Sequence, residues 1–325
     1  MAGKIKTGLL CNSKMAIPAM QQLHAAGVLC AVATADKDAE LIDIVSVMAA
    51  EWGLPYTVIK KVQYKQQLEQ WLTTTQADAV FVMTFPWRIP AAILAIPRHG
   101  FINFHYGLLP QMRGSDPIFE SIRQRMPFAG TTVHVMDEGL DTGAILLREQ
   151  IPVPADYTYG MLAGQLSYIG MQLSMQLVQK IQNDNMPVAV PQDETIAVYW
   201  PKITEAALWI KWDSMDSGEI TALVRSCNPV AKGAPAMING QKIGITEVSA
   251  VSLQGDASAI APGTIIAMDV QNGLIVFCKD GVGLKLEIVY REEGFLPGYK
   301  LAFFNIGQGM IFESVHNIAN KNVAK

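Results

Sequence analysis

Short apolar segments alternate with amphipathic helical patterns over the first half of the chain, and this alternation restricts the fold more than any other feature. Four apolar segments predict buried strands, at 4–11, 28–34, 56–62 and 77–85. The segment after the second strand has apolar residues at helical spacing, namely Leu41, Ile44, Val45, Met48, Ala49 and Trp52. Strands that alternate with helices are joined by right-handed crossovers. The sequence therefore predicts an open, twisted and largely parallel α/β sheet.

Two further strands, a long helix and a linker are expected after this series. The strands are predicted at 100–104 and 131–136, and the helix runs from Tyr159 to Gln182. The following segment, 184–203, carries three prolines and no periodicity, which is typical of a linker.

The last third of the chain has a different pattern. One helical segment at 217–226 precedes short apolar runs that are separated by turns, such as Asn-Gly at 272–273. This spacing is typical of a small antiparallel β-barrel, here of the OB-like type. We expect an α/β domain at 1–183, a linker at 184–203 and a β-barrel domain at 204–325.

Composition excludes several classes of protein. The formal charge of the 325 residues is −4, so no overall basic field attracts DNA. The apolar run near the N-terminus is too short for a signal peptide. No apolar run in the chain approaches the ~20 residues that span a bilayer. The four cysteines are scattered, without a redox or zinc spacing: Cys11, Cys30, Cys227 and Cys278. These features predict a cytoplasmic protein without membrane contact, either a monomer or a homodimer.

The stretch INFHYGLLPQMRG, from Ile102 to Gly114, carries the first candidate site. Side chains alternate across a strand, so Asn103 and His105 point to the same side. They lie at the carboxyl end of a predicted strand, where open α/β sheets bind ligands. A single histidine in such a place is often only a hydrogen-bonded core residue. An amide and an imidazole together, however, are suited to stabilise an oxyanion and to move a proton.

A glycine-rich loop supplies a third candidate. The segment DEGLDTG (137–143) lies between two predicted strands and contains Asp141. An aspartate in such a loop usually forms a turn. Beside a histidine, its carboxylate would orient the ring and favour the protonated imidazole.

Together, N-F-H-Y-G-L-L-P and D-E-G-L-D-T-G resemble the signature of the folate-dependent formyltransferases. This family uses 10-formyltetrahydrofolate to formylate amines, and it includes enzymes that act on methionyl-tRNA, glycinamide ribonucleotide and amino sugars. The resemblance implies the formyltransferase fold, with a Rossmann-like catalytic sheet, and no metal. The family's catalytic Asn, His and Asp fall on Asn103, His105 and Asp141. Gly107 stands where the family usually has serine.

The resemblance also implies a mechanism and a folate pocket. An amine attacks the formyl carbon, Asn103 and protonated His105 stabilise the oxyanion, and Asp141 holds His105 and helps to remove the amine proton. TFPWRIP (84–90) resembles the segment that lines the folate pocket. The predicted folate-binding residues are Phe85, Trp87, Arg88, Ile89, Leu109, Pro110, Asp137, Gly139 and Leu140. The stretch from Trp212 to Gly240 resembles the C-terminal domain of methionyl-tRNA formyltransferases.

The sequence leaves the identity of the amine open. Methionyl-tRNA formyltransferases carry a long basic insertion after the second strand, whereas 34–43 here has four acids and one lysine. Negative charge at this place would repel phosphates. The segment 201–325 has 11 Lys and Arg against 12 Asp and Glu. We therefore expect a small amine, such as a nucleotide-linked amino sugar or an amino acid or aminoacyl group. Methionyl-tRNA is the alternative, and a formyltetrahydrofolate hydrolase or an inactive folate-binding module are minor ones.

Overall fold

The computed structural model describes residues 4–254 and 259–313, and the chain divides into two compact units. The first unit comprises Met1–Pro117, Phe128–Pro152 and Ala163–Pro201. The second comprises Ile118–Pro127, Val153–Leu162 and Lys202–Lys325. Both units are thus discontinuous in sequence, whereas the predicted domains are contiguous. The residues of the predicted linker up to Pro201 group with the first unit.

The first unit contains a seven-stranded sheet, with strand order β3-β2-β1-β4-β5-β7-β8. Its strands are β1 (Thr7–Cys11), β2 (Leu29–Ala35), β3 (Tyr56–Ile59), β4 (Ala79–Met83), β5 (Phe101–His105), β7 (Phe128–Val135) and β8 (Ile145–Pro152). All five residues of β1 and of β4 are buried, as expected for central parallel strands. A separate two-residue strand β6 (Arg113–Gly114) pairs in parallel with β9 (Tyr199–Trp200).

Helices join these strands. They are α1 (Ile17–Ala25), α2 (Ala39–Glu51), α3 (Tyr64–Thr75), α4 (Ala91–Leu94), α5 (Pro117–Arg123) and α6 (Tyr159–Gln182). Asp38 caps α2, because its carboxylate accepts a hydrogen bond of 3.1 Å from the Leu41 N–H. The prediction of an open and largely parallel α/β sheet is confirmed.

The structure differs from the sequence prediction at both ends of this sheet. Strand β7 runs antiparallel to both of its neighbours, β5 and β8. The loop between β7 and β8 is too short for the crossover helix that a parallel pair would need. At the other edge, β3 ends at Ile59 rather than at 62. Val62 is 96% exposed, so the chain has already left the sheet there.

The second unit is built on six antiparallel strands, in the order β10-β11-β14-β13-β12 with β15 paired to β14. The strands are β10 (Ala234–Ile238), β11 (Gln241–Val251), β12 (Ile265–Asp269), β13 (Gly273–Phe277), β14 (Gly283–Arg291) and β15 (Gly294–Pro297). Two isolated bridges, Met237 to Glu313 and Thr264 to Ile311, connect the opposite edges of this sheet. The predicted antiparallel C-terminal sheet is confirmed.

Two helices accompany this sheet, α7 (Glu205–Leu208) and α8 (Ser217–Ser226). A capping box starts α8, since Asp216 and Glu219 each accept a hydrogen bond from the other's backbone N–H. Its apolar face, with Ile220, Leu223 and Val224, belongs to the core of the second unit.

None of the described helices is long and apolar enough to cross a membrane. In the described part of the chain, no group of three or more His, Cys, Asp or Glu side chains could hold a metal ion. All four cysteines are free thiols.

Candidate active site

The carboxyl end of β5 brings the first two predicted site residues to one place. Asn103 is paired with His134 of the antiparallel strand β7, so both side chains lie on the same face of the sheet. The Nδ2 atom of Asn103 is 3.1 Å from Nε2 of His134. His105, two residues along β5, is buried.

Asp141 joins this group from the loop between β7 and β8. Its Oδ1 atom is 3.7 Å from Nδ1 of His105 and 3.9 Å from Nε2 of His134. Its Oδ2 atom accepts a hydrogen bond of 3.0 Å from the Gly114 N–H. The Asp141 side chain is 10% exposed. The fold therefore brings Asn103, His105 and Asp141 together, although 38 positions separate the first from the last.

The contacts of His105 fix the orientation of its ring. Its Nε2 atom is 2.6 Å from the Met112 carbonyl, which can only accept, so Nε2 carries a proton. Its Nδ1 atom faces the Asp141 carboxylate, which in its ionised form also only accepts. Nδ1 is therefore the ring nitrogen that faces the site.

His134 is a member of this group that the sequence reasoning missed. Its Nδ1 atom donates to the Val135 carbonyl at 2.9 Å, so Nε2 has a free lone pair that accepts from the Asn103 amide. Burial, and then the charge of His105, lower the pKa of His134 well below its usual value of 6.5. A neutral His134 therefore orients the Asn103 amide and leaves the second Nδ2–H free. The signal in the sequence is its place in the strand predicted at 131–136, facing the strand of Asn103.

This depressed pKa predicts a pH-dependent contribution to stability. The unfolded chain protonates His134 near pH 6.5, whereas the folded chain does so only at lower pH. The free energy of unfolding of the wild type therefore falls as the pH drops below 6.5, by at most about 1.4 kcal/mol per unit from this residue. We expect His134→Met, which cannot titrate, to lose less stability than the wild type between pH 7.5 and 5.5 in urea unfolding. Equal losses would contradict the assignment of a buried neutral imidazole.

A cavity of about 150 Å³ in the first unit opens beside these residues. It is lined by Asn103, His134 and Asp141 together with most of the predicted folate-binding residues, namely Phe85, Trp87, Arg88, Ile89, Asp137, Gly139 and Leu140. Trp87 is held between Phe85, with ring centroids 5.1 Å apart, and Tyr64, at 5.5 Å. The cavity is smaller than the ~300–1,000 Å³ of most ligand pockets. It therefore suits one ring system of a larger ligand.

Leu109 and Pro110 do not line this cavity. Leu109 is buried, and its N–H donates to Thr132 Oγ1 at 3.2 Å while its carbonyl accepts from Arg148 at 3.1 Å. The Pro110 carbonyl accepts from the Val198 N–H at 3.1 Å. In this structure the two residues hold the turn that follows β5.

Family models match both parts of the chain. The formyl transferase model matches residues 14–178, and the formyl transferase C-terminal domain model matches residues 202–294. The chain belongs to the formyl transferase family. This confirms the family that the two sequence motifs indicated.

Relatives of this formyltransferase with similar sequences are named methionyl-tRNA formyltransferase. That of Stenotrophomonas maltophilia (strain R551-3) is 33% identical over 226 residues, which are 70% of this chain and 71% of the relative. That of Marinobacter nauticus is 34% identical over 259 residues, which are 79% and 78% of the two chains.

Solved structures with less than 20% identity share the fold of this formyltransferase. HypX from Aquifex aeolicus, in complex with tetrahydrofolic acid, matches 94% of this chain with a TM-score of 0.64 and 15% identity. The match covers 48% of HypX, so this chain spans about half its length. The sugar 3N-formyl transferase WlaRD, with dTDP and 5-N-formyl-THF, matches 87% of this chain and 97% of its own, with a TM-score of 0.63 and 17% identity. An N-formyltransferase from Helicobacter canadensis, in complex with folinic acid and dTDP-3-aminofucose, matches 86% and 98%, with a TM-score of 0.64 and 18% identity.

Proposed function

We propose that this formyltransferase moves the formyl group of 10-formyltetrahydrofolate to the primary amine of a small molecule. The observation that carries the proposal is the convergence of Asn103, His105 and Asp141 beside one cavity. The folate ring would occupy this cavity between the 85–89 and 137–141 segments. The folates bound by HypX and by WlaRD support this choice of co-substrate.

The three side chains would divide the chemistry between them. The amine nitrogen attacks the formyl carbon, a C–N bond forms, and the carbonyl oxygen becomes an oxyanion. The free Nδ2–H of Asn103 and the Nδ1–H that His105 has in its protonated form would be the donors for this oxyanion. The bond between the formyl carbon and the folate nitrogen then breaks. The proton of the amine passes to that nitrogen through Asp141 and water.

The connection between β2 and α2 favours a small acceptor over tRNA. It consists of three residues, Asp36, Lys37 and Asp38, and the last of them caps α2. Glu40 in the first turn of α2 forms an ion pair with Lys14, with a distance of 2.6 Å. Asp38 and Glu40 therefore stabilise the start of α2. The connection of three residues is also too short to contain a basic insertion that binds phosphates.

Cations of the second unit are engaged at separate places. Lys232 lies 4.9 Å above the Tyr290 ring, and Arg225 donates to the Ala155 carbonyl. Lys211 lines a different cavity from Arg225. This dispersion gives no support to a continuous basic surface formed by Lys211, Arg225 and Lys232.

Methionyl-tRNA is the second candidate acceptor, and the names of the relatives at 33% and 34% identity favour it. The dTDP-sugar ligand of the Helicobacter canadensis enzyme, which has a similar fold, supports an amino sugar instead.

The experiment offers the purified protein 10-formyltetrahydrofolate with each acceptor separately, and follows tetrahydrofolate release and the mass of the acceptor. The acceptors are charged initiator methionyl-tRNA, nucleotide-linked amino sugars and amino acids. We expect the mass of one formyl group to be added to a small amine and none to be added to the tRNA. Efficient formylation of the tRNA would refute the small acceptor. Release of tetrahydrofolate without any acceptor would indicate a hydrolase.

A further inference from the structure

Arg113 lies in the first unit, and its charged side chain has no exposed surface. Each of its N–H groups donates a hydrogen bond to another side chain. Its Nε and Nη2 atoms donate to Oε1 of Gln192, at 3.1 and 2.9 Å. Nη1 and Nη2 donate to the two carboxylate oxygens of Glu194, at 2.9 and 2.6 Å, and Nη1 also donates to the Tyr199 hydroxyl at 2.8 Å. These five bonds use the five N–H groups of the guanidinium. Arg113 therefore has no donor left for a substrate.

The orientation of the Gln192 amide follows from these contacts. An arginine offers only donors, so the oxygen of Gln192 faces Arg113 and its Nε2 faces the other way. There Nε2 donates to the Asp141 carbonyl at 2.8 Å and to the Gly143 carbonyl at 2.7 Å. One side chain thus connects the buried guanidinium to the backbone on either side of Thr142.

Asp141 needs such support, because its backbone is in the left-handed region, with φ of 56°. A residue other than glycine stays in this region when the surrounding structure holds it there. Gly114, next to Arg113 in β6, donates to the carboxylate Oδ2 of Asp141. Gln192 and Gly114 together leave Oδ1 free to face His105 and His134.

We propose that Gln192 is a positioning residue that, anchored by Arg113, holds Asp141 against His105. This inference rests on the proposed formyl transfer. We assign no substrate contact to Gln192, since both the oxygen and the nitrogen of its amide already have partners in the protein.

Replacing Gln192 with glutamate changes one end of the side-chain amide and keeps the other. Gln192→Glu keeps an acceptor for Arg113 but replaces the donor to the two carbonyls by an oxygen. We expect kcat to fall about 10- to 100-fold, with a thermal midpoint and a tetrahydrofolate affinity close to those of the wild type. Gln172→Glu, which makes the same charge change on the exposed face of α6, is the control and should keep full activity.

The pH profile adds a signature that a purely structural role does not produce. The carboxyl group that Gln192→Glu introduces regains one O–H donor for a loop carbonyl once it is protonated. The activity of Gln192→Glu relative to the wild type should therefore rise as the pH is lowered. Gln192→Met, which has no donor at any pH, should show no such recovery.

The outcomes distinguish this inference from the function on which it rests. If the wild type formylates an amine and Gln192→Glu has the same kcat, Gln192 only satisfies Arg113 and the inference is wrong. If Gln192→Glu loses activity and thermal stability together, with no recovery at lower pH, the inference is also overturned. If the wild type transfers no formyl group to any amine, the proposed function itself fails, and the inference fails with it.

Discussion

Replacing Asp141 with asparagine is expected to lower the rate of formyl transfer by about 10²–10⁴-fold and to leave the fold intact. Asparagine has almost the same shape, and its carbonyl can still accept the hydrogen bond from Gly114. It lacks the negative charge that faces Nδ1 of His105, so the proposed imidazolium loses its counter-charge. The measurements are kcat and KM for the folate and the amine, with circular dichroism and the thermal midpoint as tests of folding.

A matched control and a second variant make this result specific. Glu149→Gln removes an exposed carboxylate from the adjacent strand β8, and it should keep the wild-type rate. His105→Ala should lose activity to a similar degree as Asp141→Asn, because the removal of one oxyanion donor typically costs about 2.7–4 kcal/mol of barrier. A near-normal rate for either site variant would show that the roles assigned to His105 and Asp141 are wrong.

The second large effect is expected at Gly143, in the loop that carries Asp141. A Cβ atom at this position would lie 1.7 Å from the Val135 carbonyl oxygen and 3.2 Å from Nδ1 of His134. Because the first neighbour is backbone, the loop or strand β7 must move. We expect Gly143→Ala to lower the free energy of unfolding by on the order of 3 kcal/mol and to disrupt the bond that holds His134. Urea unfolding measures the first effect, and formyl transfer the second.

Gly164 lies in the same unit as Gly143, and a substitution there is expected to change stability in the opposite direction. It lies in α6, and no atom stands within 4 Å of the place that a Cβ would occupy. Gly164→Ala should therefore stabilise the protein by about 0.5–1 kcal/mol, because alanine favours the helix. If both substitutions had the same small effect, the close approach of Val135 to Gly143 would not restrict that position.

Much of the candidate site could be predicted from local sequence, because its polar residues lie at the end of one strand and in the loop that follows another. The alternation of side chains along β5 is sufficient to place Asn103 and His105 on one side. The loop that carries Asp141 lies between two apolar runs that predict strands. Asp141 is therefore expected just after the carboxyl end of the first of these strands. Most of the predicted folate-binding residues line one cavity, yet Leu109 and Pro110 lie outside it. Nothing in the sequence distinguishes a residue that lines a cavity from one that holds the neighbouring turn.

The sequence alone determined the elements and the residue types of the site, because strand and helix periodicity and turn residues are local properties. Only the tertiary structure decided which partners meet. His134 reaches Asn103 across 31 positions, and Gln192 reaches Asp141 across 51. It also decided that 184–201, the larger part of the linker predicted at 184–203, belongs to the first unit, where Gln192 contacts the Asp141 carbonyl and Glu194 contacts Arg113. The physical reason is that a buried donor or acceptor must find a partner wherever packing brings one within about 3 Å. Packing is a property of the whole folded unit, and no stretch of sequence carries it.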